Sequence, residues 1–206
     1  MISQASLGPS ALDEETARAE VYGLLSMLYY APPTAELTDD IRVAVTEAPA
    51  AGALLEASWS ELVAATRRLS PEGMASEYDA LFGGVGKPEV YLFGSHYLSG
   101  FLNEKPLAAL RTDLAALGLA RDEAMPETED HVAYLCEVMR YLIAGDDVEV
   151  ANLTRQRDFF TRHLQPWMLT LCEAISAHPK ADFYRCVARF TQTFISVETQ
   201  GFDMLA

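Results

Sequence analysis

Apolar residues recur along most of the chain at helical spacing, with polar residues between them. From Asp13 to Tyr30 they fall three or four positions apart, which is the period of a helix with one apolar face. The same period predicts helices over 54–69, 71–82, 106–117, 129–144 and 182–198. A further helical segment covers 152–177, with a kink at Pro166. The pattern therefore predicts an all-α fold.

Residues that favour helix ends mark several of these boundaries. Ser70 is suited to cap a helix whose first residue is Pro71. Glycine, which commonly ends helices, follows three apolar segments: Gly83, Gly118 and Gly145. Residues 87–100 are less regular, because 90–93 is strand-like but no second strand signal pairs with it. We predict a loop there, with one helical turn.

The length of 206 residues suits a single domain over 1–206. An acidic connector at 120–128, which contains Pro126, lies between the helices of the two halves. We interpret it as a hinge, so the alternatives are one helical bundle and two sub-bundles, about 13–118 and 129–200. Such a hinge permits exchange of the C-terminal helices between chains, so the expected oligomeric state is a monomer or a domain-swapped dimer.

The composition is apolar and acidic. Half of the residues are hydrophobic, which allows a large core, and the formal net charge is -15. Because phosphate binding depends on Lys and Arg, we expect no nucleic acid partner. An acidic surface suits either simple solubility or a basic ligand such as an arginine-rich peptide.

The cysteines and the N-terminus bear on the compartment. Cys136, Cys172 and Cys186 lie far apart without a CxxC pair, which is typical of a reducing environment. The first ten residues lack a basic region followed by an apolar run, and no apolar stretch approaches the roughly 18 residues of a membrane span. We therefore expect a cytoplasmic protein without membrane insertion.

The start of the 129–144 helix carries the strongest candidate chemistry. Asp130, Tyr134, Glu137 and Tyr141 are spaced four, three and four residues apart, so they share a helix face away from the apolar stripe. Carboxylates pair with guanidinium groups and aromatic rings stack on them, so this face is a candidate cradle for arginine. The alternative is a solvated helix face with ordinary acidic residues near its start.

Catalysis, metal binding and nucleotide binding receive little support from the motifs. His131 has no second ligand at metal-binding spacing, and no ExxH or HExxH motif occurs. The glycines at 83–86 precede Lys87, but Leu81 stands where a phosphate loop would begin and Pro88 where it needs Ser or Thr. We expect no catalytic residue, no metal and no cofactor.

An irregular segment rich in aromatic residues precedes this helix along the chain. It contains Tyr91, Phe93, Ser95, His96, Tyr97 and Phe101. Its rings serve either as core anchors that hold a loop or as the wall of a binding groove, where hydroxyls add hydrogen bonds.

Taken in order, these segments resemble the TorD/DmsD family of cytoplasmic redox-enzyme maturation chaperones, in particular its NarJ-like members. The resemblance depends on Glu77–Phe82 with its glycines, on Tyr91-x-x-x-Ser95-x-Tyr97-Leu98 and on Glu129-Asp130-His131. Further matches are Glu137-Val138-Met139-Arg140, Gln156-x-x-Phe159-Phe160-x-x-His163-Leu164 with Trp167, and Phe183-Tyr184. The ordered set extends from about residue 18 to 198.

The resemblance implies an all-helical chaperone that is not an enzyme. Its partner would be the precursor of a molybdenum-cofactor oxidoreductase, bound by its twin-arginine signal peptide, its body or both until cofactor insertion and folding are complete. The resemblance assigns leader binding to Pro88, Asp130 and His131. One departure is that Pro126 is separated from Glu129 by two residues, whereas the family often has Pro directly before Glu-Asp-His.

Combining the cradle, the aromatic segment and the resemblance gives one predicted peptide-binding set. It comprises Pro88, Tyr91, Ser95, Tyr97, Asp130, His131, Tyr134 and Glu137. The alternative function is a helical adaptor or anti-activator that binds a folded protein with the same acidic surface. A helical enzyme that uses His131 ranks third, because no nucleophile or ligand set accompanies it.

Overall fold

The computed structural model describes residues 9–46, 54–83, 87–102, 104–122 and 124–204, with side chains from residue 14 onward. Within these ranges the chain forms ten helices and no β-strand, so the all-α prediction is confirmed. In chain order the helices are α1 (Pro9–Tyr30), α2 (Ala35–Val43), α3 (Glu56–Arg68), α4 (Pro71–Phe82), α5 (Gly94–Ser99), α6 (Lys105–Ala116), α7 (Val132–Ala144), α8 (Leu153–His163), α9 (Met168–Ala177) and α10 (Phe183–Asp203). None of the described helices is long and apolar enough to cross a membrane.

Several helix boundaries follow the capping residues. The Ser70 hydroxyl accepts from the backbone N–H of Gly73 at 3.1 Å, which confirms the predicted start of α4. The predicted segment 152–177 is instead two helices, α8 and α9, separated at 164–167. Pro166 has no backbone N–H to continue the helical ladder, so the chain turns there instead of kinking. The glycines at 84–86 lie outside the described residues.

The longest helices join the two halves of the chain. α1 packs along α7, and α10 packs against α9, α3 and α4. Tyr22 and Leu25 of α1 and Leu135 and Met139 of α7 are buried in one continuous apolar core. Helices from the first half of the chain therefore pack against helices from the second half at two places: α1 against α7, and α3 and α4 against α10. The hinge at 120–128 and the division into two sub-bundles stay predictions.

A buried polar network fixes α1 to α8 and α10. The guanidinium of Arg18 donates to both carboxylate oxygens of Glu198, at 2.7 and 2.9 Å, and to Gln156 Oε1 at 3.1 Å. The Tyr22 hydroxyl donates to Glu198 at 2.9 Å. Gln156 in turn donates to the backbone oxygen of Leu142 on α7 at 3.1 Å. The network thereby satisfies a carboxylate that lies in the core.

Two of the segments that carried the resemblance meet at the start of α10. Glu77 of α4 accepts from the backbone N–H groups of Asp182, Phe183 and Tyr184, at 2.8, 3.0 and 2.8 Å. The N–H groups at the start of a helix have no partner within the helix, and the helix dipole favours a carboxylate there. Glu77 and Phe183–Tyr184 thus have a structural role in joining α4 to α10.

Candidate functional site

A cleft of about 670 Å³ lies between α1 and α7, with a third wall from the end of α6 and the connector after it. Its apolar lining includes Met27 and Tyr30 of α1, Leu119 of the connector, and Tyr134, Val138 and Tyr141 of α7. Met27, Tyr30 and Tyr141 are each roughly half-exposed, although they are large apolar side chains. Exposed apolar surface gathered in a concave site is typical of binding sites.

Two carboxylates lie in the lining of this cleft, and both are paired. Glu129 accepts two parallel hydrogen bonds from Arg111 of α6, each 2.9 Å long. This pairing lowers the pKa of the Glu129 carboxyl, so Glu129 is ionised near neutral pH. Glu137 accepts from Arg140, one turn later on α7, at 2.8 Å. The cleft therefore combines an apolar surface with two carboxylates, each of which is paired with an arginine of the chain.

Tyr134 occupies the middle of the α7 wall, where it connects the cleft to the residues before the helix. Its ring centroid lies 5.8 Å from that of Tyr30 on α1 and 5.7 Å from that of His131. The predicted alignment on α7 holds for Tyr134, Glu137 and Tyr141, which all line the cleft. These three residues present two rings and one carboxylate to the cleft.

Asp130 lies elsewhere than its spacing predicted, because α7 begins at Val132 and Asp130 precedes its first turn. The residue is only 3 % exposed. Its carboxylate accepts from the backbone N–H of Ser95 at 2.8 Å and from the Thr128 hydroxyl at 2.7 Å. The arginine cradle as drawn from spacing is therefore wrong for Asp130, which instead joins α5 to the start of α7.

The strand-like segment 90–93 does find a partner, in the residues just before α7. Phe93 and His131 form an isolated antiparallel bridge. The Val132 N–H donates to Leu92 O at 2.8 Å, and the Gly94 N–H donates to Asp130 O at 2.9 Å. The peptide groups of the two segments therefore satisfy each other without a sheet.

His131 caps α7 and is buried. Its Nδ1 accepts from the backbone N–H of Ala133 at 3.2 Å, and its ring packs against Phe93 with centroids 5.1 Å apart. Burial lowers the pKa of the imidazole to about 4, although the neighbouring Asp130 charge acts in the opposite direction. His131 is therefore neutral near pH 7, as its role as a hydrogen-bond acceptor requires.

We expect acid to destabilise the protein through His131. In the unfolded chain the imidazole takes up a proton near pH 6.5, and in the folded protein only near pH 4. The contribution of neutral His131 to the free energy of unfolding is therefore fully present above pH 6.5 and is lost as the pH falls toward 4. At pH 5 the loss amounts to about 2 kcal/mol. Urea unfolding at pH 7.5 and pH 5 measures it. His131→Asn keeps a capping side chain, so its free energy of unfolding should fall less between the two pH values, by that amount. An equal fall in the variant and the wild type would contradict the role of His131 in the acid sensitivity.

The remaining predicted residues, Pro88, Tyr91, Ser95 and Tyr97, do not line the cleft. Tyr91 stacks on His96 with centroids 4.2 Å apart, and the Tyr97 hydroxyl donates to Tyr91 O at 2.8 Å. Ser95 is buried, whereas Pro88, Tyr91 and Tyr97 are half-buried. Their peptide-binding role stays a prediction.

The aromatic segment rests on Trp167 at the start of α9. The Tyr97 ring is nearly parallel to the Trp167 indole, with centroids 5.5 Å apart. Gly94 lets α5 approach closely, because a Cβ at this position would lie 3.0 Å from the indole nitrogen. Phe101 is the exception, since it is 71 % exposed and is not a core anchor. Most rings of the segment therefore hold the loop in place.

The sequence alone did not identify the α1 side of the cleft. Met27 and Tyr30 lie off the apolar stripe of α1. Large apolar side chains outside the stripe face something other than the core, so their position in the sequence could have indicated this wall of the cleft. Among the described residues, no group of three or more His, Cys, Asp or Glu side chains is arranged to hold a metal.

Comparisons with known proteins agree with one another. The family model described as nitrate reductase delta subunit matches residues 48–173. The chaperone protein TorD of Vibrio cholerae serotype O1 is 26% identical over 204 residues, which cover 91% of this chain and 93% of the relative. TorD of Shewanella loihica is 25% identical over 214 residues, with 90% and 92% covered. A crystal structure described as a redox enzyme maturation protein from Archaeoglobus fulgidus shares the fold, with a TM-score of 0.56, 16% identity, and 86% and 93% of the two chains covered.

Proposed function

Because the chain belongs to the nitrate reductase delta subunit family, which is the TorD/NarJ family of redox-enzyme maturation chaperones, we propose that it holds the precursor of a molybdenum-cofactor oxidoreductase. It binds the twin-arginine signal peptide, the enzyme body or both, and releases the client after cofactor insertion and folding. The observation that carries this proposal is the apolar cleft between α1 and α7, with Glu129 and Glu137 in its lining.

The chemistry of a twin-arginine leader matches this cleft. Such a leader offers two guanidinium groups and then an apolar stretch. An exposed ion pair contributes only ~0.2–1 kcal/mol, whereas burial of one Leu or Phe side chain contributes roughly 1.5–3 kcal/mol. The apolar walls therefore supply most of the affinity, and the carboxylates select and orient the arginines.

The eight predicted residues divide into three groups in this proposal. Tyr134 and Glu137 contact the leader, because they line the cleft. Asp130, His131 and Ser95 are buried and act as positioning residues, which hold α5 against the start of α7. The half-buried Pro88, Tyr91 and Tyr97 offer a second surface, outside the cleft, for a longer client segment.

The experiment that tests this function removes the two acids. Glu129→Gln with Glu137→Gln should weaken binding of an arginine leader about two- to tenfold, because the ion pairs of both acids with the leader are lost. The preference for arginine over a matched dilysine peptide should shrink, and so should the dependence on salt between roughly 50 and 500 mM. Calorimetric titration measures all three quantities.

A second double variant serves as the matched control, because it changes the net charge by the same amount at a place outside the cleft. Asp39→Asn with Glu61→Gln also removes two exposed, ion-paired carboxylates, on α2 and α3. This control should leave the arginine preference unchanged. An unchanged preference in the Glu129 and Glu137 variant as well would exclude these acids from leader recognition.

A further inference from the structure

Arg140 lies in the same cleft as the acid with which it pairs. Its Nε and Nη2 donate to Glu137 Oε2 at 2.9 and 2.8 Å. Its aliphatic stem lies across α1 at Gly23, where a Cβ would stand 3.1 Å from Arg140 Cδ. The absence of a side chain at Gly23 therefore lets this arginine lie against α1, and Arg140 itself contributes to the cleft lining.

The second carboxylate of the cleft has the same kind of partner. Arg111 binds Glu129 through two parallel hydrogen bonds, the fork geometry that a guanidinium group forms with a carboxylate. Glu129 is mostly buried, whereas Arg111 is half-exposed. Both acids are therefore already paired with guanidinium groups from the chain itself.

We propose that Arg140 and Arg111 are internal place-holders for the two arginines of the ligand. They neutralise Glu137 and Glu129 while the cleft is empty, and an incoming arginine pair exchanges with them. The inference rests on the proposed function of the cleft, and it adds a selection step. A ligand without guanidinium groups leaves the internal pairs intact and gains nothing from either acid.

The exchange favours arginine for geometric reasons. A guanidinium group from the ligand reproduces the two N–H contacts that each internal arginine makes, whereas a lysine ammonium is a point charge that cannot. Arg140 is about half-exposed before the exchange, so its release to water is inexpensive. The internal arginines therefore lower the affinity for every cation while leaving arginine the best competitor.

Removal of one place-holder should tighten binding. Arg140→Gln is expected to raise the affinity for a synthetic peptide with an Arg-Arg pair and a leucine-rich stretch by about two- to fivefold at low salt, the range of one exposed ion pair. The gain should be smaller for the dilysine version of the peptide. It should vanish when Arg140→Gln is combined with Glu137→Gln, because no acid is then freed.

Arg121→Gln is the matched control. Arg121 also lines the cleft and its charge acts on Glu129, but its hydrogen bond goes to the backbone oxygen of Met125 and not to Glu137. The Arg121→Gln substitution therefore removes the same charge as Arg140→Gln without freeing Glu137. An equal gain in Arg121→Gln, or no gain in Arg140→Gln, overturns the place-holder role while wild-type binding of the leader stands. Failure of the wild-type protein to bind the arginine peptide contradicts instead the proposed function.

Discussion

Replacing Glu198 by leucine should lower the free energy of unfolding by about 3–5 kcal/mol, the usual cost of breaking a buried ion pair from one side. Glu198 is 4 % exposed and accepts hydrogen bonds from Arg18 and Tyr22. Leucine fills the space but leaves a largely buried guanidinium and a buried hydroxyl without their acceptor. Both unpaired groups then favour the unfolded chain, where water satisfies them.

Urea unfolding measures this loss, and two variants calibrate it. Glu61→Leu breaks an exposed pair with Arg189 and should change the free energy of unfolding by less than about 0.5 kcal/mol. Arg18→Met added to Glu198→Leu should restore much of the stability, because no buried charge is then unpaired. A loss below about 1 kcal/mol for Glu198→Leu would show that the network does not stabilise the fold.

Truncating the aromatic walls should produce the largest effect on binding. Tyr30→Ala with Tyr134→Ala is expected to weaken the affinity for an arginine leader by at least about 30-fold, since buried aromatic anchors typically cost about 2 kcal/mol or more when removed. The two rings are in contact, with centroids 5.8 Å apart, where the α1 and α7 walls of the cleft meet. Calorimetric titration measures the loss, and circular dichroism confirms that the variant is folded.

Phe101→Ala is the control for this prediction. Phe101 is 71 % exposed and does not line the cleft, so its removal deletes one exposed aromatic ring elsewhere. Its leader affinity should match that of the wild type. A large loss in Phe101→Ala together with wild-type affinity in the tyrosine variant would place the leader on the α5–α6 loop instead.

The helical period was sufficient for most of the fold, because amphipathic helices bury one face each. It missed α2, a nine-residue helix whose buried positions are only Thr38 and Ile41. It also placed the start of α7 too early, since Glu129 and Asp130 look like first-turn acids. Tertiary contacts decide that boundary, because Leu92 accepts the Val132 N–H and His131 is the cap.

The candidate site was only half accessible to sequence reasoning. Tyr134 and Glu137 followed from spacing along one helix, which is a local property. The contributions of Tyr30 and of the Arg111–Glu129 pair depend on which helices pack together, and a single sequence does not specify this. Asp130 shows the converse error, since its acidity suggested a surface role and its carboxylate is buried as an acceptor.

The measurement that tests the central claim most directly is calorimetric titration of the wild-type protein with a synthetic twin-arginine leader, beside a peptide in which both arginines are lysine. We expect the wild-type protein to bind the arginine peptide and to bind the lysine peptide more weakly. Binding of both peptides should be lost when Tyr30 and Tyr134 are replaced by alanine. Absence of binding to either peptide, with the protein folded, would contradict leader recognition by the cleft and favour the folded body of the client or another protein as the partner.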